Sequence, residues 1–440
     1  MGFEAGSSSD ALRAPPPPRE DTPLLGDPQQ VALSSKSKTF ANVFIAIVGA
    51  GVLGLPYSFK RTGWVMSLLM LFSVAALTQH CMMLLVYTRR KLESSNGSSK
   101  IASSNGFSKI ASSNGLSKIA SFGDLGFTVC GSTGRFLVDI LIILSQTGFC
   151  VGYLIFIGNT LADVVNLSPM IMGLAPKSFY IWGCLPFQLG LNSIASLTHL
   201  APLSIFADVV DLGAMGVVLV EDVLVFFKHS PAVKAFGGVS VFFYGMGVAV
   251  YSFEGVGMVL PLESEMKDKD KFGKVLALTM AFLSLLYGGF GALGYFAFGE
   301  ETKDMITANL GAGLISTLVK LGLCVNLFFT LPIMMNPVYE IVERRFSGGT
   351  YCLWLRWLLV LLVSVVALSV PNFADFLSLV GSGVCCALGF VLPPLFHLMV
   401  FKEEIGWKGW SMDVGIMVLG IVLGVSGTWY ALLEIFFPTE

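Results

Sequence analysis

Charge is what this chain has least of. Only 13% of its 440 residues are Asp, Glu, Lys or Arg, about half the roughly 25% of a soluble domain. The charges that remain sit in short blocks. A soluble fold is excluded on that ground, because the stretches between the blocks have no polar face to offer water. Histidine is also scarce, with four residues widely scattered. The eight cysteines show no metal-ligand spacing. Cys81, Cys150, Cys324, Cys385 and Cys386 fall inside apolar stretches, where reduced thiols serve as small apolar side chains. No nucleophile–base pair and no metal cluster stands out, so neither an enzyme nor a cofactor is expected. A net charge of −2 gives no basic surface for nucleic acid. No cleavable signal peptide is visible, since the first 35 or so residues are polar and rich in Pro and Ser.

What is abundant is apolar sequence in lengths of about 20 residues or more, enough to cross a bilayer core of about 30 Å. The expected spans are 38–60, 64–88, 136–160, 179–198, 203–227, 238–262, 275–298, 312–338, 353–370, 376–400 and 413–436. The expectation is therefore an all-α integral membrane protein with eleven transmembrane helices embedded in a lipid bilayer. Residues 1–37 read as a disordered tail, with Pro15 to Pro18 in a row. Within it, Glu20-Asp21-Thr22-Pro23-Leu24-Leu25 has the form of an acidic dileucine sorting signal. Glu20, Leu24 and Leu25 would then bind an adaptor complex, and chance recurrence of a short motif is the alternative. Residues 91–121 hold three nine-residue units, SSNGSSKIA, SSNGFSKIA and SSNGLSKIA. Units so rich in Ser, Asn and Gly build no core and are expected to form a flexible cytosolic loop.

Lys and Arg set the expected orientation. Of the 27, twenty fall on the side of the N-terminus and six on the far side, while Lys320 lies within a span. The N-terminus is therefore expected in the cytosol and, with an odd number of helices, the C-terminus on the far side. Asn166-Leu167-Ser168 becomes a far-side glycosylation candidate, weakened by the following Pro169.

Two spans carry helix-breaking runs. The first contains Gly49-Ala50-Gly51-Val52-Leu53-Gly54-Leu55-Pro56, and the sixth Tyr251-Ser252-Phe253-Glu254-Gly255-Val256-Gly257-Met258-Val259-Leu260-Pro261. Glycine weakens a helix by about 1 kcal/mol and proline by about 3, so both runs should unwind. Irregular backbone survives at membrane depth only where it lines a cavity or is buried in protein. A matched pair of interrupted spans points to a solute site between inverted repeats. Freed amides attract a carboxylate and freed carbonyls accept from an ammonium group, which suits an amino acid. The candidate binding residues are Gly49, Ala50, Gly51, Val52 and Gly54 in the first span, and Tyr251, Ser252, Phe253 and Gly255 in the sixth. Gln146 and Asn326 join them as mid-depth polar groups, with Thr147, Tyr153, Thr330, Ser378 and Ser382 as further lining candidates. Close helix packing by these glycines is the plainer alternative.

Glu254 lies at the second break. A charged carboxyl is costly at that depth, so Glu254 is a candidate proton-coupling site or a partner to a substrate ammonium; capping of the broken helix is the structural alternative. Asp208, Asp211 and Asp222 fall within about 60° on one helix face, expected to point inward; helix ends and packing contacts are the plainer reading, since Asp208 and Asp222 lie near the span ends. Lys320 is expected to snorkel toward the far surface, and His397 to lie at the interface.

The run Lys38–Trp64 resembles the opening of the amino acid/auxin permease family. Tyr251–Met266 is similar to the sixth helix of its proton-coupled and vacuolar branches. Residues 20–26 together with Ser121–Phe127 and Pro371–Ser382 most resemble the plant vacuolar amino-acid transporters. The nine-residue repeats depart from that pattern, and the loop before the fourth span looks short. The resemblance implies a LeuT-like fold of five plus five inverted helices, over about 38–227 and 238–400, plus an eleventh over 413–436. It also implies proton-linked movement of amino acids, chiefly neutral ones, from vacuole to cytosol; a monomer is expected. A sodium-coupled transporter and an amino-acid sensor signalling through the tail are the competing readings.

Overall fold

The computed structural model describes residues 34–103, 119–165, 175–194, 201–228, 231–311 and 313–437. The dileucine motif, Asn166 and most of the nine-residue repeats lie outside these residues.

The described chain is helical. Seven helices are long and apolar enough to cross a membrane, and a bent pair makes an eighth span. That pair is α1 (Lys36–Ile47) and α2 (Leu55–Thr62) with a 3-10 turn, Ala50–Gly54, between them; the axis bends by 52°. Then come α3 (Trp64–Ser103) and α4 (Phe122–Val165). The expected spans near 179–198 and 203–227 are helical over α5 (Pro176–Asn192) and α6 (Ala201–Lys228). The sixth expected span is α7 (Val239–Ser252), a 3-10 turn at Val256–Met258, and α8 (Val259–Glu265). After it run α9 (Phe272–Phe298), α10 (Leu314–Phe346) and the shorter apolar α11 (Leu353–Ser369). The next span is α12 (Phe373–Val380), two π-helical turns over Gly381–Val391, and α13 (Leu392–Val400); α14 (Trp407–Phe436) closes the chain.

The two largest departures from the expected boundaries flank the nine-residue repeats. The second span does not stop near residue 88: α3 continues to Ser103, so the first nine-residue unit is helical backbone and not loop. Once a helix is nucleated, each added residue contributes a hydrogen bond, and the Ser/Asn/Gly unit extends it. The third span begins earlier than residue 136, because α4 starts at Phe122. Gly131, at φ 65° and ψ −151°, kinks it, a conformation glycine adopts without steric cost.

α10 lies against α4 and α6, α9 lies against α2, α3 and α6, and α7 lies against α12 and α14. Ala50–Gly54 of the first break and Phe253 and Val256 of the second are buried within the bundle.

Candidate functional site

The first break falls where the glycines are. α1 ends at Ile47, and Val48 and Gly49 are extended. Pro56 stands in the first turn of α2, where a missing N–H costs nothing. The last carbonyls of α1 lose their intrahelical partners at such an end. One is recovered from another helix: the Tyr287 hydroxyl on α9 donates to the Ile47 carbonyl at 3.3 Å. Tyr287 is fully buried and packs its ring against Phe253, with centroids 5.2 Å apart. It therefore touches both breaks.

The second break spans Phe253 to Gly255. The amide of Glu254 bonds the Tyr251 carbonyl at 3.2 Å, and Met258 bonds Gly255 at 3.1 Å. The Glu254 carboxyl lies beside the amides of Gly255 and Val256, at the start of the 3-10 turn ahead of α8. Cys385, at the end of the first π-helical turn, and Cys386, between the two turns, lie within electrostatic range of it.

The two breaks meet. A Cβ on Gly51 would sit 2.9 Å from Cδ1 of Tyr251 and 3.1 Å from Cα and Oγ of Ser252. One on Gly54 would sit 2.7 Å from Leu377, and one on Gly255 2.8 Å from Ile47. Tyr251 is the centre of the contact. Its ring meets Phe149 edge-on at 4.9 Å, and its hydroxyl would lie 3.2 Å from a Cβ on Gly152. The side chain is 5% exposed and its hydroxyl has no hydrogen-bond partner among the described residues. A buried donor without a partner costs free energy and is available to a bound solute.

Of the residues singled out in the sequence, the structure brings Gly49, Ala50, Gly51, Val52, Gly54, Tyr251, Ser252, Phe253 and Gly255 into or beside this contact. Gly49 faces Tyr153, whose hydroxyl would lie 3.9 Å from its Cβ. The Ser252 hydroxyl turns back to Val248 O at 2.9 Å. Asn326 is engaged on its own helix, accepting from Thr330 Oγ1 at 2.9 Å, and Gln146 is half-buried on α4 one turn before Phe149. Thr147 bonds Ile143 O and Ser378 bonds Tyr244 O, so these hydroxyls are spent on helix packing. Phe149, Gly152, Tyr287 and Leu377 escaped the sequence reading. Tyr287 alone carried a signal there, as a hydroxyl in an otherwise apolar run.

Charged networks cross the bundle on either side of the breaks. At one end Arg61 of α2 bonds Glu434 of α14 at 2.7 Å and lies over the Tyr244 ring at 4.8 Å. The Tyr244 hydroxyl donates to Asp375 at 2.9 Å. At the other end Arg89 of α3 pairs with Glu263 of α8, both nearly sealed from solvent. Arg90 adds bonds to the same carboxylate at 2.9 and 3.1 Å. Lys320 does not snorkel freely; it is 8% exposed and bonds Asp163 at 2.6 Å. Likewise His397 reaches inward to Asp413 at 2.6 Å.

The profile of the transmembrane amino acid transporter protein family matches residues 33–433, and the chain belongs to that family. It is an amino-acid transporter, and not an enzyme, embedded in the membrane by several passes. It is 68% identical to amino acid transporter AVT3C of Arabidopsis thaliana over 452 residues, covering 99% of each chain. AVT3B of the same plant is 70% identical over 426 residues, covering 95% of this chain and 97% of the relative. Vacuolar amino acid transporter 3 of Schizosaccharomyces pombe is 26% identical, covering 92% of this chain and 60% of the relative. Among solved structures, Mhp1, a nucleobase-cation-symport-1 family transporter, aligns at a TM-score of 0.52 in a closed conformation with bromovinylhydantoin bound. That match has 14% identity and covers 92% of both chains; the inward-facing conformation of Mhp1 gives 0.54. The likeness to Mhp1 is one of fold.

Proposed function

We propose that the chain is a proton-coupled secondary transporter that moves neutral amino acids from the vacuolar lumen to the cytosol by alternating access. It crosses the membrane eleven times, ten of the spans forming two inverted sets of five, with the N-terminus cytosolic and the C-terminus lumenal. It works as a monomer, and Glu20, Leu24 and Leu25 direct it through an adaptor. The observation that carries this reading is the meeting of two broken spans around the unpartnered Tyr251 hydroxyl. The backbone of Gly49–Gly54 supports the charged ends of an amino acid, and Tyr251 to Gly255 form the opposite wall. The lysine and arginine asymmetry supports the orientation.

Glu254 supplies the coupling in this reading. As a carboxylate it is attracted to the Gly255 and Val256 amides beside it, and charge-assisted interactions of this type contribute up to about 1.5–3 kcal/mol. Protonation removes part of that attraction and loosens the break, so proton loading and movement of α8 are linked. A two-unit pH gradient supplies about 2.7 kcal/mol per proton, or about 100-fold accumulation.

The test is uptake into proteoliposomes with an imposed pH gradient, scanning amino acids and replacing sodium. Flux that follows the proton gradient without sodium is expected. Flux that needs sodium and ignores pH would overturn the coupling, and no flux for any amino acid would overturn the reading as a whole. Glu254→Gln is expected to exchange substrate across the membrane but to lose gradient-driven accumulation. Normal accumulation with an unchanged pH profile in that variant would remove Glu254 from the coupling.

A further inference from the structure

The α6 helix carries two buried carboxyls that the site around Tyr251 does not use. Asp222 is 0% exposed, and neither of its oxygens has a hydrogen-bond partner among the described residues. Asp211 is 8% exposed on the same helix. Eleven residues are just over three helical turns, so the two share a face about 16 Å apart along the axis.

Neighbouring helices fix what surrounds them. α9 runs beside α6 with Phe296 near Phe226 at one level, at 6.3 Å between centroids, and Tyr287 within electrostatic range of Asp211 at the other. α10 runs antiparallel, with Ser316 bonded to Glu221 at 3.1 Å and a Cβ on Gly322 3.0 Å from Val210. The ionisable groups these helices bring over that stretch are otherwise occupied. Tyr295 of α9 accepts from the Lys234 amide at 2.9 Å, and Tyr287 donates to Ile47 O at 3.3 Å. Lys320 of α10, one turn past Ser316, is bound to Asp163 at 2.6 Å, and Cys324, one turn further, is a buried free cysteine. On α6 itself Glu221 is held by Ser316. No cation among the described residues is paired with Asp222. An ionised carboxylate there would be desolvated and uncompensated, so in this arrangement the group holds its proton.

Placement gives that proton a role. Asp222 lies six residues before Lys228, where α6 ends, on the side the proposed orientation assigns to the lumen. Asp211 lies three turns deeper, level with Tyr287, whose hydroxyl bonds the last carbonyl of α1 at the first break. We propose that Asp222 is the lumen-side proton acceptor of the transport cycle. The step is a proton transfer alone: when this end of α6 opens to the lumen the carboxylate takes a proton from lumenal water, forming the carboxyl oxygen–hydrogen bond, and when it opens to the other side that bond breaks and the proton returns to water there. This rests on the proton-coupled reading above.

The experiment compares the parent with Asp222→Asn, which keeps the shape and cannot exchange a proton, in proteoliposomes under a two-unit pH gradient. The parent should accumulate substrate up to a limit of about 100-fold per proton. The variant should retain substrate counterflow while its accumulation falls toward onefold. Unchanged accumulation in Asp222→Asn overturns the proposal and leaves the coupled reading standing. Loss of counterflow together with accumulation in a folded variant also overturns it, because Asp222 would then be structural. A parent that ignores the gradient removes the coupled reading and this proposal with it. Difference infrared spectra give a second readout. The parent should show a protonated-carboxyl carbonyl band at neutral pH that Asp222→Asn lacks, and an identical band in both proteins overturns the assignment.

Discussion

Gly51 and Gly257 look alike in the sequence, each the middle of a glycine-rich break, yet their surroundings differ sharply. A methyl group on Gly51 would press on the Tyr251 ring at 2.9 Å and on the Ser252 backbone at 3.1 Å, whereas one on Gly257 meets nothing within 4 Å. The ring is boxed in by Phe149 at 4.9 Å, so it has little room to retreat. Overpacking of this type costs about 1–3 kcal/mol. At about 1.4 kcal/mol per tenfold, Gly51→Ala should lower the population with the two breaks in contact by about 5- to 150-fold. Gly257→Ala should transport at close to the parental rate. The assay is the initial rate of amino-acid uptake into proteoliposomes at matched protein density, with thermal unfolding to show that both variants are folded. Replacing Tyr251 by Leu in the Gly51→Ala background removes the clashing ring edge and should restore part of the fold stability, though not transport, since the hydroxyl is lost. A Gly51→Ala variant within twofold of the parent, or a Gly257→Ala variant that fails, would refute the claim that contact between the breaks sets the rate.

Two further outcomes follow from the buried contacts. Arg89→Ala leaves the Glu263 carboxylate buried with Arg90 as its remaining partner; breaking such a pair costs about 3–5 kcal/mol, and Arg90 should hold the loss near the low end. Thermal unfolding of the purified protein should show a lower midpoint for Arg89→Ala and for Glu263→Gln, and parental midpoints for both would mean that α3 and α8 are held by packing alone. Tyr287→Phe keeps the ring against Phe253 and removes only the bond to Ile47 O, a net loss of about 0.5–1.5 kcal/mol. It should alter the uptake rate by up to about tenfold with little change in unfolding, and a large fall in unfolding midpoint would show the hydroxyl to be a general structural bond.

The sequence by itself determined the membrane setting and the two places where helices give way. Apolar length and missing charge leave few alternatives to membrane spans, and the glycine and proline costs are local to Gly49–Pro56 and Gly255–Pro261. These properties act over a few residues, so they are visible without knowing what packs where. Only the tertiary structure decided which side chains meet at the breaks. Nothing local to Tyr287 ties it to Ile47, which lies 240 positions away. Nothing local separates Asn326, bonded to Thr330, from Tyr251, whose buried hydroxyl has no partner among the described residues. The same holds for the charges. Lys320 and His397 read as interfacial groups, because burial in lipid is costly for a lone charge. The fold changes that balance by supplying Asp163 and Asp413 as partners. Asp222 received no such partner, a difference that arises between helices and so lies beyond any property of its own span.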